Sequence, residues 1–382
     1  MTHKLAISIL LLTLSLSCAA QELQRTWSLG PLTWDDFTAT PTNTDENSLL
    51  QYNIGFSPVQ ENIDGIKSFF YRAEAWMLPS SSWVIADHRT PQLLRYNQVI
   101  FDMLEVERRT LQRSLNTSDD PGSYSNMLYG ANDRLNQRIA YFRQLTQDGT
   151  DTTALAAFEK QVWQQLDMLP AYYQPTYTPR PFGYSAYSSL GMSFPFGSLG
   201  QYFTPAFTIG YGFAFQWKSH LLDIEAIMGS YDARKTAPLL NRNNPQLVEG
   251  IFLEDHSYSL TLINIGYGLL LIDNNHMQLS PIIGLGMHEL SAKRKLEDRF
   301  AYTRLEPSVG VMFRYHFWQQ NTFPRFNHLF GDHRISDRNH ISLQGKLRLS
   351  YSSFPRIEGS PKGLCLTAQV GIAFGGRYHT VE

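Results

Sequence analysis

Two groups of residues in this 382-residue chain have types and spacings that could do chemistry. The first is Asp102 and Glu105, three apart in a helical stretch and followed by Arg108 and Arg109. Acids at that spacing approach one another on a helix and could move a proton or hold a cation. With arginines beside them, such acids are more commonly an exposed helix surface. The second group is Lys218, Asp223, Glu225, Arg314, Lys346 and Arg348, all on the polar side of alternating segments. If they share an enclosed interior, opposite charges must pair there, because a lone buried charge is costly. His328, His333 and His340 invite a metal reading, but their spacings match no common ligand motif, and they read as solvated loop histidines. No G-x-S-x-G, P-loop or Rossmann glycine pattern is present. Asn116-Thr117-Ser118 fits a glycosylation sequon, a non-specific match.

The second group sits in segments whose period is two, from Phe182 onward. Leu364, Leu366, Ala368, Val370, Ile372 and Phe374 point one way, and Cys365, Thr367, Gln369, Gly371 and Ala373 the other. The same alternation runs through 341–351, 309–317, 209–217 and 222–228, with weaker copies in 184–194, 258–272 and 276–288. That makes about eight strands, several with the ten or so residues a tilted strand needs to cross a bilayer. A soluble β-sandwich also alternates. Against it stand aromatics at strand ends of the apolar face (Tyr211, Trp217, Tyr315, Phe317, Tyr351, Phe374) and charges and glycines on the other. Connections at 219–220 and 273–275 are tight, while 232–256 and 288–302 are long and polar, the rhythm of short periplasmic turns and long outer loops. Segment 317–339 breaks it, being a long connection where a tight one is due. An eight-stranded barrel has an interior just wide enough for its own side chains. The expectation is a lumen plugged by the second group, not a diffusion pore. The architecture, though not the sequence, is similar to small outer-membrane barrels of the OmpA/OmpX type.

The first group sits in a different kind of chain. Leu93, Leu94, Ile100, Leu104, Leu111 and Leu115 predict one amphipathic helix, Leu128 to Leu145 a second and Leu155 to Leu169 a third. Asp119-Asp120-Pro121-Gly122 separates the first two. Short strands are expected at 49–57 and 66–78. Residues 170–181, with prolines at 170, 175, 179 and 181, read as a semi-rigid linker, too proline-rich for helix or inner strand.

This half resembles a bacterial family of predicted secreted zinc peptidases of uncharacterised function. The resemblance rests on Leu32-Thr33-Trp34-Asp35-Asp36-Phe37, on Ser82-Trp83-Val84, and on the run from Leu93 through Glu105 with Arg109. It spans about residues 27–145. The family's helix reads roughly H-E-Q-x-H-F-D-I-A-E-x-x-x-R. It implies two imidazoles at i and i+4 holding zinc and a glutamate that activates water. Those positions hold Tyr96, Asn97 and Ile100 here, so the resemblance implies a degenerate site with no catalytic residue. Gln98, Phe101, Asp102, Glu105 and Arg109 match the remainder. Composition agrees independently: between residues 21 and 169 there is one histidine, His88, and no cysteine. No cofactor or metal is expected.

Thr2-His3-Lys4, the apolar run Leu5–Leu16 and the small residues Ser17-Cys18-Ala19-Ala20 predict a secretory signal peptide, residues 1–20. Lipidation at Cys18 would call for Leu where Ser15 stands three residues before it, so ordinary cleavage before Gln21 is the reading taken. Cys365 is then the lone cysteine, with no intrachain disulfide to form. A net charge of −2 gives no field calling for nucleic acid. The expected fold is an α+β periplasmic domain (21–169), a linker (170–181) and an eight-stranded antiparallel transmembrane β-barrel (182–382). The expected partners are outer-membrane lipid and a periplasmic protein, in a binding or scaffolding role. The competing functions are a metal-dependent hydrolase with atypical ligands and a small pore or transporter.

Overall fold

The computed structural model describes residues 24–42, 46–118, 120–292, 301–326 and 334–382. The signal peptide with Cys18, and the histidines His328 and His333, lie outside them. Contacts divide the chain into two compact units.

The first unit holds most of residues up to Pro175. A hairpin, β1 (Tyr52–Ile63) and β2 (Ile66–Met77), contributes residues to both units; β1 runs past the strand expected at 49–57, and β2 matches the one expected at 66–78 to within a residue. Asp64 and Gly65 turn it, both with positive φ (52° and 81°), which suits Asp-Gly at a two-residue hairpin turn. Three helices follow at the expected places: α1 (Pro91–Thr117), α2 (Tyr124–Thr146) and α3 (Thr152–Met168). Thr90 caps α1 by accepting the Leu93 N–H, and Pro91 occupies the first turn where a missing N–H costs nothing. Asp151 caps α3, accepting from Thr153 and Ala154. The core places Val99, Met103 and Leu111 of α1 against Leu135 and Phe142 of α2 and Leu155 and Val162 of α3.

The second unit comprises residues 60–69 and 176–382. Its long strands are β3 (Tyr177–Pro195), β4 (Ala206–Trp217), β5 (His220–Asp232), β6 (Ser257–Leu269), β7 (Met277–Ala292), β8 (Ala301–Asn321), β9 (Arg334–Ser353) and β10 (Lys362–Val381). All pair antiparallel with their neighbours in sequence, and β10 pairs with β3, so the chain of pairings returns to its start. Lys67 and Ser68 of the hairpin tip pair in parallel with Gln320 and Asn321.

Three features differ from the sequence reading. Strand β3 begins at Tyr177, inside the proline-rich stretch expected to be a linker. Pro179 is tolerated because it faces a register shift between Arg377 and His379, where the ladder is already broken. The expected long connection 317–339 is entered by strand from both sides: β8 runs on to Asn321 and β9 starts at Arg334, carrying His340. The expected polar loop 232–256 contains a small hairpin, Ala237–Leu240 with Val248–Phe252. Leu239 and Phe252 from it pack with Phe203, Tyr258, Tyr302 and Phe354 in an apolar cluster.

Candidate functional site

In the first unit, the motif positions lie on one side of α1. Tyr96, Asn97 and Ile100 are all buried, and all line a cavity of about 470 Å³ with Glu46, Ser48, Arg143 and Asp148. Residues at i and i+4 on a helix share a face, which is why Tyr96 and Ile100 meet there. The Tyr96 ring stacks on Phe142 at 5.1 Å, and its hydroxyl points to Asp148 Oδ1 at 3.4 Å. Burial holds the Tyr96 phenol well above its ordinary pKa, so it stays neutral. Gly149 (φ 87°) lets the chain pass that ring, since a Cβ there would lie 2.9 Å from it. Asn97 Nδ2 donates to Ser48 Oγ (2.9 Å) and to the Leu93 carbonyl (2.8 Å). Arg143 pairs with Glu46 at 3.2 Å, both in the cavity lining. An adjoining cavity of about 500 Å³, lined by Leu49 to Tyr52 and by α2, shares Ile100 and Arg143.

The residues that match the family pattern are framework. Asp102 is buried, not exposed as helical acids commonly are. Its Oδ1 accepts from Trp27 Nε1 (2.8 Å) and Gln98 Nε2 (2.7 Å). Burial raises its pKa, and those two hydrogen bonds oppose the rise. Gln98 in turn accepts the Leu32 N–H. Glu105 is also buried and held by Arg108 and Arg109, while Arg109 donates to the carbonyls of Leu166 and Leu169 and stacks its guanidinium over Trp27. Neither acid lines the cavity. Glu46, Arg143 and Asp148 were not singled out in the sequence; Glu46 comes from the segment before β1 and the other two from the end of α2 and just after it, so only tertiary packing brings them to α1's motif.

In the second unit, burial alternates residue by residue and with inverted polarity. Along β4, Thr208, Ala214 and Gln216 are buried, while Phe207, Ile209, Tyr211, Phe213, Phe215 and Trp217 are exposed. Phe213 is 59 % exposed, yet Asp223 on the neighbouring strand is 0 %. All six aromatics named at strand ends are exposed.

Five of the six predicted interior charges are buried: Asp223, Glu225, Arg314, Lys346 and Arg348. Lys346 Nζ contacts Asp223 Oδ2 (2.5 Å) and Glu225 Oε2 (2.9 Å), and Arg348 Nη1 reaches the same Glu225 oxygen at 3.1 Å. The acids lie on β5 and the bases on β9, separated by three strands either way along the pairings. Their contact therefore joins strands that do not pair with each other. Tyr187 joins them, donating to Asp223 (2.7 Å) and accepting from Lys346 (3.1 Å). Gly212 makes room for it: a Cβ there would lie 2.3 Å from the Tyr187 ring.

Lys218 is the correction. It is exposed, in the two-residue turn between β4 and β5, with φ 55°. Its parity along β4 suited the interior, but the strand ends at Trp217 and the turn is Lys218-Ser219, one residue before the expected place. A further buried pair escaped the sequence reading: His288 Nδ1 and Glu306 Oε1 lie 2.6 Å apart. Both stood at or beyond expected strand ends. Among the described residues, no group of three or more His, Cys, Asp or Glu could hold a metal ion.

No protein-family model matches the chain, and no curated protein matches it in sequence. Solved structures similar to it include Neisserial surface protein A, at 10 % identity and TM-score 0.32, covering 53 % of this chain and 98 % of that one. Another is Ail, the attachment invasion locus protein of Yersinia pestis, at 6 % identity and TM-score 0.28, covering 51 % and 97 %. A third is the N-terminal β-barrel domain of OprF from Pseudomonas aeruginosa, at 10 % identity and TM-score 0.24, covering 52 % and 99 %. At such TM-scores the fold rests on its own strand pairings.

Proposed function

We propose that the second unit is a closed eight-stranded barrel embedded in a bacterial outer membrane. The first unit is then a periplasmic binding or scaffolding domain built on a degenerate zinc-peptidase frame. The observation that carries the membrane reading is the inverted alternation. A soluble protein rarely exposes so continuous an apolar face while burying carboxylates and ammonium groups behind it. Closure is supported by pairings that return to β3 and by ion pairs bridging β5 and β9. Those pairs fill the interior and oppose a conducting pore.

For the first unit, the carrying observation is a cavity at the motif positions whose lining cannot reproduce the motif's chemistry. Ile100 presents an apolar side chain where a ligand would stand, and Asn97 is already committed to Ser48 and Leu93. The amide and charged groups around it suit recognition of a polypeptide segment, so a periplasmic protein is the partner proposed. Elemental analysis and peptidase assays on the purified full-length protein test this reading. The expected result is no stoichiometric zinc after dialysis and no peptide hydrolysis. A full equivalent of tightly held zinc, lost on chelation together with a measurable hydrolysis rate, would overturn it in favour of a hydrolase with atypical ligands.

A further inference from the structure

The buried charges of the second unit are not all compensated. Asp223 and Glu225 are taken by Lys346 and Arg348. Arg314 is 3 % exposed, and its Nε donates only to the neutral Gln344 Oε1, at 2.7 Å. Its Nη2 is buried with no hydrogen-bond partner among the described residues, and no carboxylate forms an ion pair with it there. Asp223 attracts it without contact and the Tyr187 ring lies 5.9 Å from its guanidinium carbon, so the charge is only partly compensated, and holding it out of water is costly.

Arg314 lines a cavity of about 100 Å³, the liquid-state room of about three water molecules. The cavity lies at the end of the sheet where β6 turns into β7, among Asn274, Asn275 and the ends of β9 and β10. Arg338 and Arg377 also line it, so three guanidinium groups face one carboxylate, Asp273. Asp273 is already bonded to Arg377 (2.7 Å) and to the amides of Gln216 and Gln278. His340 adds a second buried nitrogen, Nε2, that has no partner among the described residues.

We propose that this cavity is a binding site for a small tetrahedral oxyanion, a phosphate or sulfate group, which acts as the counter-ion of Arg314. Guanidinium donors suit such a group because several N–H bonds can converge on its oxygens. The site does not depend on the zinc-peptidase resemblance or on the cavity of the first unit.

Calorimetric titration of the full-length protein in detergent tests it, with sodium phosphate and sodium sulfate at an ionic strength fixed by sodium gluconate. A saturable signal is expected with phosphate or sulfate. Arg314→Gln is expected to weaken it at least about tenfold, the loss of one charge-assisted hydrogen bond or more. Arg377→Gln, at the partly exposed rim, is expected to weaken it in the same direction and covers the case in which Arg314→Gln does not fold. Dihexanoylphosphatidic acid provides a further arm. Binding of that lipid without binding of the inorganic ions would sustain the oxyanion site and assign it to a headgroup. No saturable binding of any of the three by folded protein, or equal affinity in the wild type and both folded variants, overturns the proposal.

Discussion

Replacing Glu225 with Gln in the full-length protein is expected to destabilise the barrel by ~3–5 kcal/mol, the cost of breaking a buried ion network by removing one partner. Glu225 is the acid shared by Lys346 and Arg348. Lys346 would keep Asp223, but Arg348 would be left without a carboxylate. Gln preserves the volume, so the loss reports charge and not a cavity. Urea unfolding in detergent micelles, followed by tryptophan fluorescence, gives the number. The internal control is Glu249→Gln, which removes the partly exposed partner of Arg356 and is expected to cost ~0–1 kcal/mol. Equal midpoints for the two variants would contradict a filled, ion-paired interior.

The second large effect is expected on the opposite face. Ile265→Arg should cost ~2–4 kcal/mol in a bilayer, where arginine near the midplane of a lipid-facing strand is expelled. Ile265 is 55 % exposed and lies between Ile224 and Leu285 on the neighbouring strands, both also exposed. Leu247→Arg is the comparison. Leu247 is 57 % exposed but sits in the connection between β5 and β6, where water should receive the charge. Were this face wetted, the two substitutions would behave alike, and folding into vesicles would not distinguish them.

The alternating strands were legible because period-two alternation survives any choice of register, and because the apolar side was written in aromatics. Their ends were not. Lys218 has the parity of the interior, yet a turn intervenes after Trp217, and alternation carries no signal for that. The pairing of acids on β5 with bases on β9 could be expected from the cost of a lone buried charge. Which acid meets which base required the order and register of the strands. Arg314 shows the converse: the structure buries it as the sequence reading expected, but nothing in its neighbours along the chain reveals that no carboxylate among the described residues forms an ion pair with it. In the helical unit, the spacing of Tyr96 and Ile100 placed both on one side of α1, and the sequence suggested what they could not do. The cavity they line was invisible, because Glu46, Arg143 and Asp148 reach it only through tertiary packing. The same packing buries Asp102 and Glu105, turning acids that resembled a helix surface into the framework that fixes Trp27 and the end of α3.

The central claim is that the exposed apolar face of β3–β10 meets lipid. Fractionating the cell envelope and running the outer-membrane fraction on a gel with and without boiling tests it most directly. The account predicts recovery with outer membranes and a faster-migrating species before boiling, as a closed barrel that resists detergent would give. Recovery in the soluble periplasmic fraction, with one mobility whether boiled or not, would contradict it.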